Sequence, residues 1–338
     1  MIDTYLSKII DGVSLDRSEA AEAMNNIMSG DTPATQIAAF LTAMRMKGEN
    51  SEEVTGFVES MRANATPVTV DSDEILDMCG TGGDGIGTFN ISTIASLVAA
   101  GGEVTVAKHG NRAVSSKCGS ADLFSALGVN IEMPVEKLSD CLNEVGMAFL
   151  FAPLLHPAMK HAAGPRRELK IRTVFNLLGP MTNPANPTVQ LMGLYDFSLA
   201  ELTAEVLRNV GVKRALVVQG SDGLDEITLT GSTMCVELDN DNITKIELNP
   251  DSFGLPSLRT EDISGEFDPR ACSLIAGEIL SGEKGPKRDI VVANAAVGLY
   301  LCKKADSFED AARLAEEIID SGKAQTVLEN LKEFTARG

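Results

Sequence analysis

Paired cysteines are missing from this sequence. Cys79, Cys118, Cys141, Cys235, Cys272 and Cys302 are scattered along 338 residues without one C-x-x-C pair, which argues against a zinc site and a disulfide framework and predicts reduced, mostly buried thiols. The three histidines, His109, His156 and His161, form no H-E-x-x-H, and the step from His156 to His161 does not set two ligands on one helical face, so no structural metal is expected. Basic residues are scarce, with 29 Lys and Arg against 48 Asp and Glu for a formal charge of -19. Such a chain is repelled by nucleic-acid backbones and anionic membranes. No stretch approaches the ~20 continuous apolar residues of a membrane span, and MIDTYLSKIID has neither the basic start nor the apolar run of a signal peptide. A cytoplasmic protein that binds neither nucleic acid nor membrane is expected, and any polyanionic ligand needs a local exception to the overall charge.

The rest is the balance of a globular protein, 44% hydrophobic and 23% charged, long enough for one large or two modest domains. The first 65 residues read as short amphipathic helices, starting from Ile2, Leu6, Ile9, Ile10 and Val13. Thr32 before Pro33 is read as the cap of a helix with apolar face Ile37, Phe40, Leu41 and Met44, and Ser51 as the cap of one carrying Val54, Phe57, Val58 and Met61. Thr66 to Asp73 reads as a linker. Beyond it, short apolar runs (75–79, 104–107, 147–152, 189–194, 215–218) alternate with helix-like stretches (93–100, 121–127, 135–145, 198–209), the rhythm of a largely parallel α/β sheet. Closely spaced strand-like segments over 223–264 predict an antiparallel excursion, before helices return near 269, 290, 309 and 325.

The sharpest motif is Ile75-Leu76-Asp77-Met78-Cys79 running into Gly80-Thr81-Gly82-Gly83-Asp84-Gly85, a strand feeding a glycine loop where α/β sheets bind ligands. Glycines let a backbone approach a phosphate, and Asn90-Ile91-Ser92-Thr93 adds hydroxyls and an amide at the next helix start. Gly80, Gly82 and Gly85 formally satisfy G-x-G-x-x-G, but the helix starts well past the last of them. The second strand ends in Lys108-His109-Gly110-Asn111-Arg112 rather than an acid for ribose hydroxyls, which disfavours a dinucleotide site.

Between Glu103 and Asp122 there is no acid, so Lys108, Arg112 and Lys117 with Ser115, Ser116 and Ser120 make a positive island suited to a phosphorylated small molecule. Ser120 also reads as a helix cap, and His109 as a packed core histidine. Between Glu144 and Asp196 the only acid is Glu168, among His156, Lys160, His161, Arg166, Arg167, Lys170 and Arg172. One of these should face a substrate carboxylate; an arginine suits the task, and the residue types leave Arg166 and Arg167 both open. Asp222-Gly223-Leu224-Asp225-Glu226 places adjacent carboxylates on a loop at a sheet edge, either solvated surface or ligands for Mg²⁺ that bridges to substrate phosphates.

Taken in order, GTGGD at 80–84, NIST at 90–93, KHGNRAVSSKCGSAD at 108–122, HPAM at 156–159, RTVFNLLGPMTNP at 172–184 and DGLDE at 222–226 resemble the anthranilate phosphoribosyltransferase family over nearly the whole chain. The resemblance implies a small helical N-terminal domain (1–69, assisted by helices within 156–182) and a large α/β domain (70–338) with a mostly parallel central sheet, assembled as a homodimer through the helical part. It implies transfer of the phosphoribosyl group of phosphoribosyl pyrophosphate to anthranilate, with Mg²⁺. Carried over by motif, Gly80, Gly83, Asp84, Thr88, Asn90, Ile91, Ser92, Thr93, Lys108, His109, Gly110, Asn111, Arg112, Ala113, Val114, Ser115, Ser116 and Ser120 would hold the donor. Gly80, Asn111 and Arg166 would contact anthranilate, and Ser92, Asp225 and Glu226 would bind the metal. No acid or base is assigned. Lys170 stands where the family commonly has glycine. A pyrimidine nucleoside phosphorylase, or a non-enzymatic relative that binds nucleic acid, is the alternative.

Overall fold

The computed structural model describes residues 2–83, 85–113, 117–265 and 267–337. Four helices come first: α1 (Ile2–Ile10), α2 (Arg17–Met28), α3 (Ala34–Lys47) and α4 (Ser51–Ala63). Reciprocal caps start two of them. Asp16 accepts from Glu19 N while the Glu19 carboxylate accepts from Asp16 N, and Asn50 and Glu53 repeat the pattern at α4. Two predicted caps therefore move. Ser51 is the first residue of α4, one past its cap, and Thr32 gives its hydroxyl to Asn26 O at 2.8 Å instead of capping α3.

The remainder alternates strands and helices: β1 (Leu76–Gly80), α5 (Ile91–Gly101), β2 (Val106–Gly110), α6 (Ser120–Ala126), α7 (Leu138–Val145), β3 (Met147–Phe151), α8 (Ala152–Leu155), α9 (Lys160–Leu169), α10 (Phe175–Met181), β4 (Val189–Gly193), α11 (Ala200–Asn209), β5 (Arg214–Gly220), β6 (Thr233–Asp239), β7 (Asn242–Leu248), α12 (Thr260–Ile263), α13 (Pro269–Leu280), α14 (Pro286–Leu301), α15 (Phe308–Asp320) and α16 (Lys323–Ala336). The seven strands lie in the order β3-β2-β1-β4-β5-β6-β7. Pairing is parallel from β3 across to β5, and β6 and β7 run antiparallel, the excursion expected over 223–264.

Burial on both faces explains why the parallel strands read as continuous apolar runs. On β5, Leu216 and Val218 join the core made with α5, α14, α15 and α16, while Ala215 and Val217 join the core that includes α1 to α4, α10 and α11. The N-terminal helices thus share one apolar core with a sheet face. α9 packs against α2 and α3, and α10 and α11 against α4. The chain leaves β1 towards β2 on one side and resumes at β4 on the other, so the crevice beyond the carboxyl ends of β1 and β4 is the switch point where open α/β sheets bind ligands.

Candidate active site

Gly80 ends β1 opposite Gly193, which ends β4. A Cβ on Gly80 would lie 2.2 Å from Asp225 Oδ2, and one on Gly193 would lie 1.5 Å from the Asp225 carbonyl oxygen. Two side-chain-free strand ends therefore let the loop after β5 lie across the middle of the sheet, not at the edge that the sequence suggested. Buried Leu224 and Ile227 flank the acidic pair, and Asn294 holds Ile227 through both backbone groups. Asp222 builds the loop, accepting from Leu224 N and from the hydroxyls of Thr228 and Thr230. Asp225 accepts from Gly82 N at 2.6 Å and Glu226 from Ser92 N at 3.1 Å. Burial, and then the adjacent Asp225, pushes the Glu226 carboxyl up to about 8, against the pull of Lys108 and Ser92.

The NIST segment opens α5. Ile91 and Thr93 are buried, whereas Asn90 and Ser92 are half-buried. Asn90 Nδ2 donates to Cys118 O at 3.0 Å, which ties this segment to the basic loop. The Cys118 thiol donates to Gly119 O at 3.6 Å, and its pKa is raised chiefly by the neighbouring Cys272 sulfur of α13. Thr88 forms an antiparallel bridge with Ser264.

Of the predicted positive island, Lys108 is turned inward. It is 2% exposed and donates to Met78 O; burial lowers its pKa, with Asp77 and Glu226 opposing. His109 is a core residue, as one reading expected: its ring stands 5.1 Å from that of His156, and burial holds it neutral, with its pKa depressed to about 3. A Cβ on Gly110 would lie 2.2 Å from Ser120 Oγ. Ser120 is inside α6, not its cap, and donates to Asn111 O at 3.3 Å. Asp122 Oδ2 accepts from Gly119 N and Ala113 N, and its other oxygen pairs with Arg112 at 3.1 Å. Asn111 Oδ1 accepts from Arg112 N. The expectations for Asp84, Val114, Ser115 and Ser116 lie outside the described residues.

Beneath the crevice is a buried polar layer that no motif announced. Asp77, fully buried within β1, accepts from His109 N and from Asn183 Nδ2, which also donates to Ala107 O. Burial raises the Asp77 carboxyl to about 6, opposed chiefly by Lys108. Its signal was a lone acid inside the apolar run Ile75 to Cys79.

The adjacent arginines separate cleanly. Arg167 is exposed, whereas Arg166 is partly buried, its guanidinium 4.9 Å over the Phe175 ring. Burial alone lowers the pKa of Arg166, with no carboxylate offsetting it. Such a cation is suited to an incoming carboxylate. Lys170 closes α9 in the left-handed region at φ 53°, the conformation that favours glycine there.

The crevice thus gathers glycine-loop amides, a helix start and paired carboxylates at one sheet mouth. Residues 72–325 match the α/β domain, and residues 3–65 the helical bundle domain, of the glycosyl transferase family, so the fold and site are those of a glycosyl transferase. Anthranilate phosphoribosyltransferase of Moorella thermoacetica is 52% identical over 97% of each chain, and that of Acetivibrio thermocellus 49% over 99% of this chain and 97% of the relative. The crystal structure of the Thermus thermophilus enzyme superposes with a TM-score of 0.93 at 41% identity, covering 98% of this chain and 99% of that one. A Saccharomyces cerevisiae structure in complex with PRPP and Mg gives 0.90 at 28% identity, covering 100% and 98%. The chain belongs to the anthranilate phosphoribosyltransferase family.

Proposed function

We propose that the chain transfers the phosphoribosyl group of phosphoribosyl pyrophosphate to the amine of anthranilate, releasing pyrophosphate, as a step of tryptophan biosynthesis. The observation that carries this is the meeting of the 80s, 90s, 110s and 220s segments at one sheet mouth. The glycine loop and the start of α5 receive the donor's phosphates, with the side chains of Asn90, Ser92, Asn111 and Arg112 beside them. Arg166 takes the anthranilate carboxylate with its planar fork and orients the amine towards the ribose. Aromatic amines are competent nucleophiles, so no side chain is needed as base. Holding the reactants in line supplies much of the rate.

Mg²⁺ fits the acidic pair. Among the described residues no three His, Cys, Asp or Glu side chains form a full metal cage, but two adjacent hard carboxylates, with Glu226 raised by burial and then by Asp225, suit an ion that keeps waters and bridges to phosphates. Asp225, Glu226 and the Ser92 hydroxyl would hold it. When bound, it would neutralise charge on the departing pyrophosphate.

The remaining features follow the same reading. We place the domain boundary near residue 69, with α9 and α10 serving the helical part. The protein is cytoplasmic and homodimeric through that part; no described helix is long and apolar enough to cross a membrane. Incubation with anthranilate, phosphoribosyl pyrophosphate and Mg²⁺ should extinguish anthranilate fluorescence. Persistent fluorescence with folded protein, or phosphorolysis of thymidine instead, would refute the assignment.

A further inference from the structure

The glycine loop is held by Arg172, one of the cations in the acid-poor stretch between Glu144 and Asp196. Arg172 Nη2 donates to Gly83 O at 2.7 Å, and the guanidinium lies 4.0 Å over the Tyr195 ring. Tyr195 in turn gives its backbone N–H to Thr81 Oγ1 at 2.9 Å, and Thr81 N donates to Gly193 O at 3.0 Å. Three consecutive residues are thus held by three different segments: Thr81 by the chain around the end of β4, Gly82 by Asp225, and Gly83 by Arg172.

Gly82 and Gly83 have φ of 68° and 79°. Glycines in this region lose the most conformational freedom on ordering, so a loop that must take one form beside a phosphate gains from anchors on neighbouring segments. A bare carbonyl oxygen in this loop would repel an anionic donor, and donation from Arg172 to the Gly83 oxygen offsets that partial charge and brings a positive charge nearby. Only a planar cation can stack on the ring and donate along its edge at once. The same arginine follows α9, the helix of Arg166, so the grip also joins the acceptor-side segment to the donor loop.

We propose that Arg172, stacked on Tyr195, is a positioning residue that presets the 81–83 loop for the pyrophosphate end of the donor. The inference rests on the transferase reading. The guanidinium is exposed, and exposed contacts add little to stability, so a purely structural role and a positioning role predict different results.

The test compares Arg172→Ala, Arg172→Lys and Tyr195→Leu with the parent by steady-state kinetics, Mg-pyrophosphate titration in a calorimeter and hydrogen exchange over residues 80–83. In Arg172→Ala and Tyr195→Leu, KM for phosphoribosyl pyrophosphate and Kd for Mg-pyrophosphate should rise about tenfold, the scale of one charge-assisted hydrogen bond. KM for anthranilate should stay within about twofold, Tm should be unchanged and exchange of the loop amides should quicken. The double variant should lose no more than either single one, and lysine should restore less than half of the loss. Unchanged pyrophosphate affinity, an equal rise in both KM values, or full rescue by lysine overturns the proposal. If the parent does not consume anthranilate, the transferase reading fails, while pyrophosphate affinity and loop exchange still decide whether the grip exists.

Discussion

Single residues at this site carry charge in places that penalise it. Arg166 is partly dry and uncompensated, so Arg166→Ala should raise KM for anthranilate about 10- to 100-fold, the loss of a paired carboxylate, with donor KM little changed; steady-state kinetics with each substrate varied decides this. Glu226 makes a pH prediction. Its folded pKa, about 8, lies above the ordinary 4.5, so its contribution to stability is complete below pH 4.5 and is lost as pH rises through 8. Asp77 acts in the same sense but only up to about pH 6. Metal-free protein should therefore lose Tm between pH 6 and 9, and Glu226→Gln, which keeps an acceptor for Ser92 N–H, should flatten that slope. At pH 9 the variant should be more stable by roughly 1–3 kcal/mol yet respond poorly to Mg²⁺. Parallel melting curves for parent and variant from pH 6 to 9 would remove the assignment.

Elements explain what the sequence could and could not disclose. Apolar runs marked the strands because parallel strands are buried on both faces, and glycines marked the loop because their conformation is local. Contacts across the crevice left no local trace: Arg172 and Gly83 are 89 residues apart, and Asp77 and Asn183 are 106 apart. Caps failed for a related reason. The hydroxyls of Thr32 and Ser120 found carbonyl partners six and nine residues back along the chain, where sequence spacing had offered them a helix start. Gly193 is the strongest case, since nothing around it resembles a motif, yet β4 must end without a side chain. Gly193→Ala would drive a methyl into the Asp225 carbonyl, forcing β4 or the 222–226 loop to shift. A loss of roughly 1–3 kcal/mol is expected, as for overpacking, together with weaker Mg²⁺ dependence. A variant with wild-type melting and metal titration would show that the loop is not seated there.

At the scale of the molecule, the N-terminal region shares a core with the sheet but leaves Ile10, Val13 (in the turn after α1) and Met46 exposed at 68%, 47% and 83%. A second copy would cover such side chains. Light scattering should therefore give twice the 35.8 kDa chain mass, and Ile10→Glu with Met46→Glu should halve it; a monomeric parent would end the dimer proposal. The arrangement of loops was anticipated as a set because motif order along the chain survives folding, whereas their grip on one another emerges only in three dimensions.

Asp225 is seated by its own main chain, wedged against a neighbour that has no side chain to yield. Exchanging its carboxylate for an amide would thus remove a charge without altering pose, so Asp225→Asn separates coordination from shape, two causes that most ligand substitutions entangle.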